Sequence, residues 1–304
     1  MSVINIREAQ RQGARLLIGL AGVSGGGKTH SALRLAYGLA SGDAKKIGLL
    51  DTENGRGSLY ADKLPNKEKF MIGDLIPPFS PKRYMDAIKQ FQASGIDVLI
   101  IDSISHEWEG EGGCTEIAEN NKLGGMLNWA LAKGQHKQFV NALLYSDMHV
   151  IVCLRAREKS RPVEVVKDGK KKTEYVSDGL QAITEKNFLF EMTASLMVTD
   201  LGTAQTVIKC PGDLMPFLGR GSGYLTEDDG KAIRQWVDGM PARDPRIDQA
   251  IGVLELACEG GMAALETAWK ATPREIQHAL GVPFLETLKA AATEYDAQKG
   301  GDSE

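Results

Sequence analysis

Short, nearly uninterrupted apolar blocks alternate along the first two thirds of the chain with longer stretches in which apolar positions recur every three or four residues. A short solid block predicts a strand buried on both faces, and the longer spacing predicts a helix with one face on a core. Four blocks are of the first kind: Arg15–Ala21 (RLLIGLA), Lys46–Asp51 (KIGLLD), Asp97–Asp102 (DVLIID) and His149–Leu154 (HVIVCL). Helices are predicted at Thr29–Leu39, Pro81–Ala93 and Asn128–Tyr145. Alternation of this sort builds a mainly parallel sheet flanked by helices, the α/β class. Strand-like runs at Phe188–Val198 and Gln205–Ile208, with Asp200-Leu201-Gly202 between them, predict a hairpin at the sheet edge.

The pattern then changes. Arg155–Glu174 is charged and shows no periodicity, which predicts a loop or a flexible hairpin. Around Pro211–Pro245 the chain is rich in Gly, Pro and Asp, apart from a short helix predicted at Glu227–Val237. Beyond it, helical spacing with breaks at Gly260-Gly261 and Gly281-Val282-Pro283 predicts three or four short helices. The predicted organisation is a large α/β core over 1–215, a linker region with a short helix over 216–245, a small helical domain over 246–297 and a disordered tail over 298–304. Leu265, Trp269, Leu280 and Leu288 are expected as the core of the helical domain, with Trp269 its largest buried group.

Composition narrows the function classes. The 304 residues are 42% hydrophobic, enough to bury one large core and a smaller one. No apolar run reaches 18 residues and the N-terminal stretch is polar, so neither a membrane span nor a secretory signal is expected, and the expected location is the cytoplasm. Cys114, Cys153, Cys210 and Cys258 form no C-x-x-C pair, which argues against a zinc site or a disulfide framework on spacing. A net charge of −4 supplies no global basic field, so any contact with nucleic acid must be local.

One motif is specific. Gly22-Val-Ser-Gly-Gly-Gly-Lys28-Thr29 fits G-x-x-x-x-G-K-[ST], and it follows a predicted strand and opens a predicted helix. Glycines let successive backbone N–H groups turn toward a phosphate chain, and the helix start adds its positive dipole end. Gly22, Ser24, Gly25, Gly26, Gly27, Lys28, Thr29 and His30 form the expected nucleotide-binding set, with Lys28 reaching the outer phosphates. ATP and Mg²⁺ are the expected cofactors; Thr29 offers its hydroxyl to the metal and Asp102, at the tip of the DVLIID strand, its carboxylate.

The segment Leu50-Asp-Thr-Glu53-Asn-Gly-Arg-Gly57-Ser-Leu-Tyr60-Ala-Asp-Lys-Leu64 resembles the RecA recombinases after their second core strand. The resemblance implies that Glu53 orients or activates the attacking water and that Tyr60 stacks on adenine; Gly57 stands where the family carries an aspartate that helps bind the base. Asp102 with Ser103 is similar to the family's metal-holding strand end. Arg155 stands where those proteins have a polar residue, usually glutamine, that senses the γ-phosphate, and a guanidinium suits phosphate oxygens. Lys28, Arg155 and Glu53 are thus the expected catalytic set. Lys186–Ser195 and Thr206–Lys209 resemble the last core strands, which makes Lys209 the candidate for a contact with a neighbouring subunit's nucleotide. The likeness spans about residues 15–215 and is closer to compact RecA-like ATPases of bacteriophages, including those that assist single-strand annealing. The runs Gly260–Trp269 and Leu285–Ala292 are similar to small helical tails on phage recombination proteins. For a phage protein the compartment would be the host cytoplasm.

Arg155–Glu174 holds eight basic residues against four acidic ones and follows the sensor-like strand, where RecA proteins place a DNA-binding loop. Arg157, Lys159, Arg161, Lys167, Lys170, Lys171 and Lys172 are therefore the expected contacts to single-stranded DNA, with Tyr175 the lone aromatic there. The resemblance implies self-assembly into a ring or filament and a partner such as an annealing or single-strand-binding protein. A replicative helicase or packaging motor, and a nucleotide-dependent protein-binding switch without DNA, share the same core. His106 reads as a residue that caps or packs a loop.

Overall fold

The computed structural model describes residues 14–167, 170–239 and 245–301, in two compact units that divide at residue 240. The first unit opens with β1 (Leu17–Gly22), α1 (Lys28–Leu39), β2 (Ile47–Asp51), β3 (Met71–Asp74), α2 (Pro81–Ala93) and β4 (Val98–Asp102). Three helices follow, α3 (Ser105–Glu109), α4 (Cys114–Asn120) and α5 (Trp129–Leu144), then β5 (His149–Lys167) and β6 (Lys170–Ala182). The unit ends with α6 (Phe188–Glu191), β7 (Ala194–Thr199), β8 (Ala204–Lys209), α7 (Met215–Leu218) and α8 (Glu227–Val237). The sheet order is β3-β2-β4-β5-β1-β7-β8, parallel except for β8, and β6 pairs only with β5. This is the α/β P-loop class that the pattern predicts. The edge hairpin β7–β8 is present, but Phe188–Glu191 is one turn of helix rather than the start of the strand.

The solid apolar blocks are solid because both faces of the sheet are covered. Odd and even positions divide cleanly. Ile18, Leu20, Leu49, Ile100 and Ile151 pack with Leu33, Leu35 and Leu39 of α1 and with Ile233 of α8. Leu17, Leu50, Leu99, Ile101 and Val152 pack on the other face with Tyr84 and Ile88 of α2 and Phe139 and Leu143 of α5. Such a sheet aligns the carboxyl ends of β1, β2 and β4, and the point where β5 leaves the sheet, along one edge, where α/β sheets bind ligands.

The segment 216–239, expected as part of a linker, belongs to the core of the first unit. Leu218, Leu225, Ile233 and Val237 are buried in the α1 layer. Helix α8 crosses α1 so closely that a Cβ at Gly230 would stand 2.2 Å from the Leu35 carbonyl oxygen. Glu227 accepts two hydrogen bonds from Arg34, at 2.8 and 2.7 Å, and Thr226 with Asp229 forms a capping box. Glycine and polar residues here mark a tight helix crossing and a cap, which composition alone does not separate from a linker.

Strand β5 leaves the sheet after Arg155 and continues, paired with β6 alone, as an exposed two-stranded arm. From Ala156 to Lys167 the arm extends about 40 Å at the usual rise per residue. The arm realises the hairpin alternative for the charged segment. Both of its faces meet water, so no apolar period of two is present for the sequence to display. Arg157, Lys159 and Arg161 alternate onto one face; Glu158, Ser160 and Pro162 lie on the other with Tyr175 and Leu180.

The second unit contains α9 (Pro245–Cys258), α10 (Met262–Ala271) and α11 (Arg274–Gly301), the last broken at Gly281. Leu254, Cys258, Leu265, Leu288 and Ala292 form its core. Trp269 is only half-buried and packs on that core from outside, so it is not the largest buried group. Residues 298–301 continue the final helix instead of forming a disordered tail, and 302–304 lie outside the described residues. Among the described residues no helix is long and apolar enough to cross a membrane.

Candidate functional site

Ser24, Gly25, Lys28, Thr29, Asp51, Glu53, Arg56, Gly57, Tyr60, Asp102 and Arg155 line one cleft of about 260 Å³ at the carboxyl edge of the sheet. Residues separated by up to 131 positions are thus gathered at one edge, since β1, β2 and β4 end there and β5 leaves the sheet there.

The loop after β1 turns into α1 at Gly27, whose φ of 92° suits glycine. A side chain there would also meet the Leu201–Gly202 backbone at 2.5 Å. The Lys28 ammonium curls back and donates to the carbonyls of Gly22 at 3.0 Å and Val23 at 2.8 Å. The Thr29 hydroxyl donates to Asp102 Oδ2 at 2.5 Å, which brings the two expected metal ligands into contact. Burial pushes the Asp102 carboxyl upward, against the hydrogen bond from Thr29 and the charge of Lys28. A cation between these oxygens would relieve that cost, and hydroxyl and carboxylate oxygens are the hard donors that Mg²⁺ prefers.

Asp51, buried at the tip of β2, accepts hydrogen bonds from the backbone N–H groups of Glu53 at 2.5 Å and Gly57 at 2.7 Å. It therefore fixes the loop that carries Glu53. A Cβ at Gly57 would lie 2.7 Å from Leu49 Cδ2 and 3.1 Å from Asp51 Oδ2. An aspartate at this position would crowd Leu49 and Ile72 Cδ1, at 3.0 Å, and bring a second carboxylate against Asp51.

Glu53 Oε1 accepts from Arg155 Nε at 2.8 Å and Nη2 at 2.7 Å, and Arg56 stands 3.7 Å from Oε2. Burial would raise the Glu53 carboxyl, but the Arg155 hydrogen bonds and charge, with His106 and Arg56, outweigh it and hold the group below its ordinary value. Arg155 is held in turn by its backbone N–H, which donates to Ser105 Oγ at 2.9 Å. Thr52 Oγ1 accepts from Ser103 N at 2.8 Å and donates to Ser103 O at 3.0 Å, tying the tip of β2 to that of β4. The Asp102–Ser103 peptide is cis. His106 stacks on Phe79 and its Nδ1 lies 2.8 Å from Thr52 Oγ1. Burial and then Arg155 lower its pKa, so the ring is neutral at pH 7. It packs the loop at Phe79 and meets the Thr52 hydroxyl beside Glu53. Thr52, Ser105, Arg56 and Asp51 carry no motif of their own; only their places beside Asp102, Glu53 and Arg155 in space reveal them.

Two expected residues stand apart from the cleft. His30, on the first turn of α1, meets the edge of Tyr224 with ring centroids 6.3 Å apart. Lys209 pairs with Ser195 near the start of β7, toward the opposite end of the strands, and donates to the carbonyls of Phe190 and Met192, each at 2.6 Å. On the arm, Arg157 binds Glu109, Arg161 binds Asp178 and Lys171 binds Glu164. Lys159 and Lys172 make no ion pair among the described residues. Lys167 and Lys170 close the tip of the hairpin.

A protein-family model described as an AAA domain matches residues 14–186, more than half of the chain. The chain belongs to the AAA-domain family. Its matched region holds the P-loop, Glu53, Asp102, Arg155 and the arm, and the family is one of P-loop ATPases. No curated protein matches the sequence. Among solved structures, a KaiC-like protein from the hyperthermophilic archaeon Pyrococcus horikoshii is similar over 65% of this chain and 90% of its own, with 15% identity and a TM-score of 0.32.

Proposed function

We propose that this AAA-domain protein binds ATP with Mg²⁺, hydrolyses it, and couples the cycle to single-stranded DNA along the β5–β6 arm, in recombination or annealing of the phage type. One observation carries the reading: Arg155 is both the root of the arm and the partner of Glu53, the carboxylate facing the P-loop. Lys28 exchanges the Gly22 and Val23 carbonyls for phosphate oxygens, and the loop N–H groups hold the rest of the phosphate chain. Thr29 and Asp102 hold the metal, which when bound neutralises charge on the phosphates. Glu53, kept ionised, orients water and accepts its proton once Arg155 turns from it toward the outer phosphate. That turn moves the residue from which the arm extends.

DNA phosphates meet Lys159 and Lys172 first, and Arg157, Arg161 and Lys171 on exchange of partners, with Lys167 and Lys170 the further basic residues of the segment. Copies assemble in a ring or filament, in which Lys209 of one copy would have to leave its carbonyls to reach its neighbour's nucleotide. An annealing or single-strand-binding protein is the fitting partner. The ion pairs of Arg157, Arg161 and Lys171 favour a second reading, a nucleotide-dependent switch in which the basic segment is solvated surface and the carboxy-terminal helices bind a protein. ATP turnover with and without single-stranded DNA decides between them. Stimulated turnover and salt-sensitive binding support the DNA reading; unchanged turnover with no binding at low salt overturns it.

A further inference from the structure

We propose that Glu107, Cys114 and His136 form a transition-metal site of the zinc type, separate from the nucleotide cleft. The three come from three different helices, α3, α4 and α5, and their ligand atoms all lie within 4.8 Å of one another. Cys114 Sγ is 3.2 Å from Glu107 Oε1, and His136 Nδ1 is 3.1 and 3.0 Å from the two Glu107 oxygens. All are buried, at 1% exposure for Glu107, 0% for Cys114 and 6% for His136.

The donors suit zinc rather than magnesium, since thiolate and imidazole are ligands of borderline ions. Ligands at zinc distances stand roughly 3.3–3.8 Å apart around a tetrahedron, so the observed contacts need open by only a few tenths of an ångström. Charge also balances: a thiolate and a carboxylate cancel a dication, so no net charge is buried. On binding, Cys114 releases its thiol proton to solvent while the imidazole proton sits on Nε2, leaving Nδ1 free to ligate.

The site stands where the fold is thinnest. Helices α3 and α4 have five and seven residues, too short to be stable alone. The buried cluster between them and α5 is only Cys114, Ala118 and Ala132, flanked by Trp108, Ile117 and Trp129. A metal joining three helices supplies the constraint that this small core lacks. Of the three, His136 alone also lines a groove of about 390 Å³, with Lys133, Lys137, Glu185 and Asn187.

The test uses the full-length, untagged chain, reduced, treated with chelator and titrated with Co²⁺. Expected are visible bands of tetrahedral cobalt and a thiolate-to-cobalt charge-transfer band, saturating at one ion per chain and abolished by Zn²⁺. Cys114→Ser should lose the charge-transfer band, and Cys210→Ser should keep it. Retained MgATP binding shows that each protein is folded. If Cys114→Ser fails to fold, the wild-type titration and the Cys210→Ser and Cys258→Ser variants decide. Absence of stoichiometric binding by the folded wild type, a band that survives Cys114→Ser, or a band lost in Cys210→Ser or Cys258→Ser overturns the proposal.

Discussion

Replacing Arg155 with Gln removes the charge beside Glu53 while keeping one hydrogen-bond donor. In the wild type two charge-assisted hydrogen bonds, at 2.8 and 2.7 Å, reach the same carboxylate oxygen. Losing one such bond in a buried setting costs about 1.5–3 kcal/mol. The Arg155 side chain is 39% exposed, so screening by water reduces the loss to about 1–2 kcal/mol. The sign with pH follows from Glu53. Its folded pKa lies below the ordinary value of 4.5, so its ionisation stabilises the fold above that pH and this is lost as pH falls through the depressed value. Without Arg155 the largest influence opposing burial is gone, so the carboxyl rises from its depressed value and its ionisation stabilises the fold less. The gap in stability between the two proteins should be full at pH 7 and shrink as pH falls below 4.5 through the depressed Glu53 value. Urea unfolding of the nucleotide-free chain at a series of pH values measures it. A gap that is the same at pH 4 and pH 7 would refute the assigned Arg155–Glu53 coupling.

Three further outcomes test other parts of the molecule. Glu53→Gln should bind ATP with near wild-type affinity and turn over at least about 100-fold more slowly in steady-state assays, the scale of a lost general base; wild-type turnover removes the assignment. Gly230→Ala should destabilise the first unit by about 3 kcal/mol in urea melts, since its Cβ would meet the Leu35 carbonyl oxygen at 2.2 Å, a backbone atom that cannot step aside. If single-stranded DNA runs along the arm, Lys159→Ala with Lys172→Ala should lessen the slope of log affinity against log salt by about 1.4, since each phosphate contact on a single strand contributes about 0.7. An unchanged slope excludes both lysines from the phosphate path.

What the chain reveals before folding is what short-range pattern can encode. Strands covered on both faces read as solid apolar blocks, so β1, β2, β4 and the sheet portion of β5 stand within a residue or two of where the sequence places them. The P-loop, Glu53 and Asp102 are legible for a related reason: each sits where an apolar block stops, and the stop is the sheet edge. Three kinds of feature stay hidden. An arm wetted on both faces has no apolar alternation to display, and a glycine that admits a helix crossing looks the same as one that loosens a linker. A third kind exists only as a meeting of distant residues. Asp51 accepts the Gly57 N–H, and Leu49 and Ile72 close over that glycine, yet none of these residues announces the others. Cys114, 22 residues from its histidine and seven from its glutamate, likewise escapes any spacing rule for metal sites, because three helices and not one loop bring the ligands together. Spacing rules detect sites built within a turn or hairpin; a site assembled by helix packing is visible only once the packing is known.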